Sequence, residues 1–393
     1  IISGSDTDFA ITTPAATNID LKATSGNVRN VTINHASCAA AIAGGFMTIT
    51  GNLAISAGSL NTGGNDLTVA GHVTNNGTLT LNGSTVNLGS TSAEAGDFQG
   101  SGTFNLDTST INFHTGGGAN FIPSTSANFD TNTSTLNLIG LNGSNRAHNF
   151  TFASGNMHNI TTSRGAGTDT HTETLNGNCT ITGNLTIGAN SIFDTGSDRD
   201  LTVTGKTLIN GGTLTCNAST ISLKSGVNSN IFGLQVASGT FDGGTGTHTI
   251  GGIRVSGGTL TFTSGNTTIN AGETTSSAGA IYISGSPTVN TSNGTVIIDL
   301  ITPTLQFLLY NANLTLHNLT INSGSTIRLW QPTSDGSGTE LLTVTGDLTI
   351  NGTLDTDYSS QDDVNLTVTG NVDITGTLTC NASAVSFGSL KCQ

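Results

Sequence analysis

Charge is what this sequence has least of. Lys, Arg, Asp and Glu make up 9% of its 393 residues, against about 25% in an average soluble domain. A helical surface laced with ion pairs is thereby excluded. Solubility must come from Thr, Ser and Asn, which compete with helix hydrogen bonds and favour strands and turns. Positive charge is the scarcer sign: 10 Lys and Arg against 24 Asp and Glu leave a net −14, and the basic residues fall singly along the chain. With no basic stripe to neutralise phosphates, neither nucleic acid nor an anionic membrane is an expected partner. No run of 18 apolar residues occurs, so membrane insertion of a helix is not expected either. Only five prolines are present, and no low-complexity tract that would read as a disordered tether. The five cysteines, Cys38, Cys179, Cys216, Cys380 and Cys392, are odd in number and contain no CxxC pair. Complete internal pairing and a zinc site are both excluded. Cys216 and Cys380 are expected as small buried core residues, with a Cys380–Cys392 bridge as an open alternative. The opening Ile1-Ile2-Ser3 reads as a processed chain or a piece of a longer one.

What is abundant is repetition. A cassette of two short alternating runs around a small polar corner occupies Gly77 to Leu88 and returns at Gly102 to Phe113 and Gly212 to Leu223. Looser copies start at Ala127, Gly258 and Gly376. A second motif occurs as Thr48-Ile49-Thr50-Gly51-Asn52-Leu53, Thr180-Ile181-Thr182-Gly183-Asn184-Leu185 and Thr343-Val344-Thr345-Gly346-Asp347-Leu348. Each copy is followed by an LTV-type strand ending at Gly71, Gly205 or Gly370. A short lead-in run, Asn followed by alternating apolar and Thr residues, precedes each copy at Asn30, Asn149 and Asn318. Repeats at this period mark a solenoid, in which one winding cannot bury its apolar face until the next stacks on it.

The fold class expected is therefore all-β, a parallel β-helix (β-solenoid) of about 20–25 residues per coil. Leu79, Leu81, Val86 and Leu88 face inward, while Thr78, Thr80, Thr85 and Asn87 face water. Hairpin turns are a poor fit, because the corner that holds Asn82-Gly83 elsewhere holds Thr108, Ala218 or Gly265. At a rise near 4.8 Å per coil, about 16 coils would make a rod roughly 75–80 Å long. One continuous solenoid over 1–393 is expected, with superrepeats at roughly 21–138, 139–300 and 301–393. The stretches Thr115 to Thr125, Thr161 to Thr172 and Gln331 to Glu340 read as loops leaving the coil.

The runs Leu342 to Asp355 and Leu366 to Ser383 resemble the repeats of right-handed parallel β-helix proteins of phage tail fibres and filamentous-haemagglutinin-type adhesins. That resemblance implies an extracellular, elongated structural or attachment role, and carries over no active-site residue.

Chemistry is thinly spread. The carboxylate groups are Asp198/Asp200, Asp362/Asp363, and Glu94 with Asp97. Asp66, Asp200 and Asp363 each sit just before an LTV strand, where a corner carboxylate caps backbone donors. No GxSxG, HExxH or Walker signature occurs. Gly63-Gly64-Asn65-Asp66-Leu67 has a calcium-nonapeptide flavour but no tandem copy. His148 and His317, each just before a lead-in run, share a repeat position and need no metal to explain them. No catalytic residue, metal or cofactor is assigned. The candidate glycan contacts are Trp330, the single tryptophan, and Tyr310, because an exposed aromatic ring packs on apolar faces of small ligands.

The function expected is a non-enzymatic extracellular fibre element, the shaft of a phage or bacterial surface appendage, acting in attachment and self-assembly. Its expected partners are further copies of itself and a cell-surface glycan. The alternatives are a carbohydrate-active β-helix enzyme of tailspike or pectate-lyase type, and an ice-binding β-solenoid suggested by Thr-X-Thr pairs such as Thr213/Thr215.

Overall fold

The computed structural model describes residues 7–12, 18–22, 27–89, 96–115, 120–123, 128–130, 132–140, 146–150, 157–164, 169–224, 232–272, 279–301, 304–310, 312–330, 340–356, 364–380 and 382–392. Among them every regular element is a β-strand. The strands pair in parallel, each with its counterpart one winding later, and form a β-solenoid of about 12 turns. About 12 turns stand against the roughly 16 expected, and winding length is not constant. Val372 pairs with Leu390, 18 residues on, whereas Leu319 pairs with Leu348, 29 residues on. The chain packs as two compact units, Ile1–Asp194 and Thr195–Gln393.

In the first unit the cassettes stack in register: Leu79 on Phe104, and Val86 on Ile111 and then Leu136. Their inward residues are fully enclosed, while Thr78, Thr80, Thr85 and Asn87 on the other face are half-exposed. Phe98 and Phe121 stack with ring centroids 4.8 Å apart, and Phe113 meets Phe121 edge-on. Phe121–Pro123 is therefore a strand and not part of a loop, as are Asn159–Arg164 and His171–Leu175. The inward residues Thr162, Arg164 and His171 are polar, which hides the alternation from a reading based on hydrophobicity. Residues 116–119, 165–168 and 331–339 lie outside the described residues.

The corners of the cassettes at Gly77, Gly102, Ala127 and Gly212 carry an Asx residue with positive φ, Asn82 (49°), Asp107 (51°), Asn132 (36°) and Asn217 (49°), and Gly83 follows Asn82 with a positive φ of its own (81°). Asn and Asp tolerate this left-handed conformation, and at Asp107 and Asn217 one such residue suffices, so the next position accepts Thr108 or Ala218. Asn82→Ala is expected to cost about 1 kcal/mol in urea denaturation, with Asn82→Gly closer to the parent.

Two further corners explain the motifs. In the TGN/TGD motif the Asn or Asp lies directly above an Asx side chain of the preceding winding, whose oxygen accepts its backbone N–H. Asn30 Oδ1 accepts from Asn52, Asn159 from Asn184, and Asn318 from Asp347, and Asn52 accepts in the same way from His72 after the next LTV strand. A Cβ on the glycine before it would collide with that same oxygen, at 2.2 Å for Gly346 over Asn318. The lead-in Asn of the middle repeat is accordingly Asn159 and not Asn149, which lies in Arg146–Phe150 opposite Thr174. Asn149 copies the lead-in sequence without standing beneath a TGN corner. The leading cassette glycines form columns of their own: Gly58, Gly77 and Gly102 in one unit, Gly212, Gly239 and Gly258 in the other.

Candidate functional site

In the second unit Tyr310 and Trp330 belong to adjacent windings of one sheet. Thr304–Tyr310 pairs with Thr326–Trp330, placing Trp330 opposite Leu308, and Tyr310 is the next outward residue along from Leu308. Tyr310 is 40% exposed. The alternation Ile327 in, Arg328 out, Leu329 in, Trp330 out is set by the apolar pair that enters the core. The same register runs back through two more windings. Leu308 pairs with Tyr282, and Tyr282 with Arg254. Both neighbours of each ring-bearing or charged residue on its own strand, Ile281/Ile283 and Ile253/Val255, are buried. Tyr282 and Arg254 consequently face outward.

The Arg254 guanidinium lies 5.0 Å from the centroid of the Tyr282 ring, and Phe232 packs against the same ring at 6.2 Å. A second outward column carries Gln306, Arg328 and Asp355, with Arg328 Nε 3.9 Å from Asp355 Oδ2. Tyr282 and Arg254 escape a reading of the sequence because Arg254, Tyr282 and Leu308 are spaced by windings of unequal length and share no motif. The usable signal was the flanking pattern: Ile281-Tyr282-Ile283 has a polar-tipped aromatic between two β-branched residues. Tyr358 lies outside the described residues.

The acidic groups occupy structural corners. Asp66 Oδ1 accepts the backbone N–H of Thr85, and Asp200 Oδ1 that of Thr220. Asp97 Oδ1 accepts that of Asn120, continuing the Asx column. Asn65 binds Gly45 N–H, Ile42 C=O and Thr62 C=O, so the glycine-rich stretch around it is held by neighbouring backbone. Glu94, Asp362 and Asp363 lie outside the described residues. His317 Nδ1 meets Thr345 Oγ1 at 3.2 Å, and His158 meets Thr182 in the equivalent place; the side chain of His148 is outside the described set. Among the described residues no three His, Cys, Asp or Glu side chains converge as metal ligands. Cys216 is fully buried as expected, whereas Cys380 is only half-buried and forms no disulfide.

Thr213, Thr240, Thr259 and Thr288 form one in-register outward column, but the column beside it reads Thr215, Asp242, Thr261 and Asn290. A regular two-column threonine lattice is thus broken at alternate windings.

The first unit holds a polar interior that hydrophobic periodicity does not show. His171 Nε2 and Glu173 Oε1 share a hydrogen bond on one strand, both fully enclosed. Thr162 and Ser191 hydroxyls bond at 2.9 Å nearby in the fold, and Arg164 reaches Asp169. The strand below places Arg146 and His148 at the paired positions, and the strand above places Ser191 and Phe193. Burial raises the Glu173 carboxyl above the ordinary range, opposed by the bond to His171. A raised folded-state value means the unfolded chain gives up this proton first, so stability falls as pH climbs above 4.5. Glu173→Gln is expected to stabilise this unit by about 1 kcal/mol at pH 7 and to change little at pH 4, read from urea midpoints at the two pH values.

No protein-family model, curated protein or solved structure matches the chain.

Proposed function

We propose that the protein is a non-enzymatic extracellular fibre element, the shaft of a phage or bacterial surface appendage that works by attachment and self-assembly. The observation that carries this reading is the unbroken parallel pairing from winding to winding within each unit. Backbone hydrogen bonds then run along the stacking direction, and a pull in that direction is shared among several parallel ladders at once. Outward columns of Thr and Asn, such as Asn87, Asn112 and Asn137 joined amide to amide, keep the surface neutral and hydrated. The ring-bearing columns of the second unit supply the attachment half of the proposal.

Self-association is the other half of the proposal. Mass photometry across a concentration series is expected to show assemblies above the 39.6 kDa chain. A mass that stays at one chain throughout counts against that half. For the function as a whole, incubation with a panel of bacterial polysaccharides is expected to give retention without release of new reducing ends. Steady turnover on any of them restores the enzyme alternative, and thermal hysteresis in dilute solution restores the ice-binding one.

A further inference from the structure

We propose that the outward column Arg254–Tyr282–Leu308–Trp330 binds a neutral polysaccharide laid along the stacking direction, one sugar ring on Tyr282 and another on Trp330. The inference rests on the attachment reading above and gives it a site and a ligand class. Tyr282 and Trp330 stand in register two windings apart, about 10 Å at the ordinary strand spacing. An extended chain of pyranose rings can span that distance with a ring over each aromatic. Leu308 lies between them and is itself enclosed, so the ligand's contacts are with the partly exposed rings on either side.

The chemistry of the flank suits hydroxyl pairs. Arg254 over Tyr282 and Arg328 beside Asp355 offer a forked donor and an acceptor to neighbouring hydroxyls, while the rings take the C–H faces. Aromatic residues able to do this are scarce: the chain holds one Trp and three Tyr, and Trp330, Tyr282 and Tyr310 share this face. Charge selects the class. With a net −14 on the chain and Asp355 in the adjacent column, a polyanion would be repelled on approach, whereas a neutral chain would not.

Because Trp330 is the single tryptophan, its fluorescence reports this site and no other. The full chain is titrated with hydroxyethylcellulose and galactomannan as neutral probes, and with alginate and heparin as polyanions. A neutral probe is expected to shift or quench the emission. Tyr282→Ala is expected to weaken that response about tenfold, in keeping with the loss of one aromatic contact, while Tyr282→Phe keeps it. Should Tyr282→Ala unfold, Trp330→Leu followed by calorimetry replaces it, with the same tenfold loss expected. Binding restricted to the polyanions, or unchanged affinity in the alanine and leucine variants, overturns the proposal. Retention of the chain on polysaccharide gels with Trp330 emission unmoved sinks this site alone. Absence of retention on every polysaccharide sinks both the site and the attachment reading.

Discussion

Gly102→Ala is expected to destabilise the first unit by about 4 kcal/mol or more, a loss in the range that only a named backbone or core defect produces. A Cβ at this position would lie 2.2 Å from the carbonyl oxygen of Gly77 and 2.8 Å from Gly77 N and Asn76 C. All three atoms are backbone, so no rotamer change relieves the clash and the two windings must part. Parting them lengthens the bonds from Gly102 N to Asn75 O and from Thr103 N to Gly77 O, now 2.9 and 2.8 Å. Gly324→Ala is the matched control. Its φ of +84° is unfavourable for alanine, but nothing lies within 4 Å, so about 1 kcal/mol of backbone strain is all it should cost. Equal urea midpoints for the two variants would show that the column tolerates a methyl group and that the close approach is not what keeps glycine there.

The second large effect is expected on acidification of the second unit. His248 is fully enclosed on an inward position and packs edge-on against Phe241 at 5.8 Å. Burial pushes its imidazole down from 6.5 to about 4, the Gly243 backbone offsetting only part of that. Between those two values the unfolded chain carries a proton on this ring and the folded chain does not. Stability therefore falls as pH drops from 6.5 towards 4, by about 3 kcal/mol over the interval. His248→Leu should abolish that contribution and leave stability at pH 7 little changed or higher. Urea titrations at pH 7 and pH 4.5 on both proteins test it; an acid loss of the same size in the leucine variant would refute the assignment. The first unit is expected to respond in the opposite sense as pH rises above 4.5, because Glu173 prefers to keep its proton where it is buried. One chain thus carries two buried titrating groups whose effects on stability oppose each other as pH rises from 4.5.

Much of the solenoid is legible in Leu79, Leu81, Val86 and Leu88, because inward alternation and recurrence are both local properties of the chain. The corner preference at Asn82 and Asp107 is legible for the same reason. What fails is anything decided by the winding above or below. Asn149 and Asn159 are equally good lead-in residues by composition, and only the position of Gly183 over Asn159 distinguishes them. The inward run Thr162, Arg164, His171 reads as a loop until its neighbours are seen to enclose it. The candidate site divides along the same line. Trp330 and Tyr310 are conspicuous by scarcity, whereas Tyr282 and Arg254 join them only through register across windings of unequal length.

That inequality has a practical consequence. Leu319 and Val372 each find a partner one winding later although the intervening chain differs by 11 residues. Corners therefore absorb inserted sequence while the strands keep their partners, as loops generally do when their ends are pinned. A foreign peptide, such as an epitope tag, spliced between Gly44 and Gly45, a corner where an added Cβ would meet nothing within 4 Å, should be displayed at little energetic penalty. The same peptide placed within Thr207–Thr215 would break pairing on both sides.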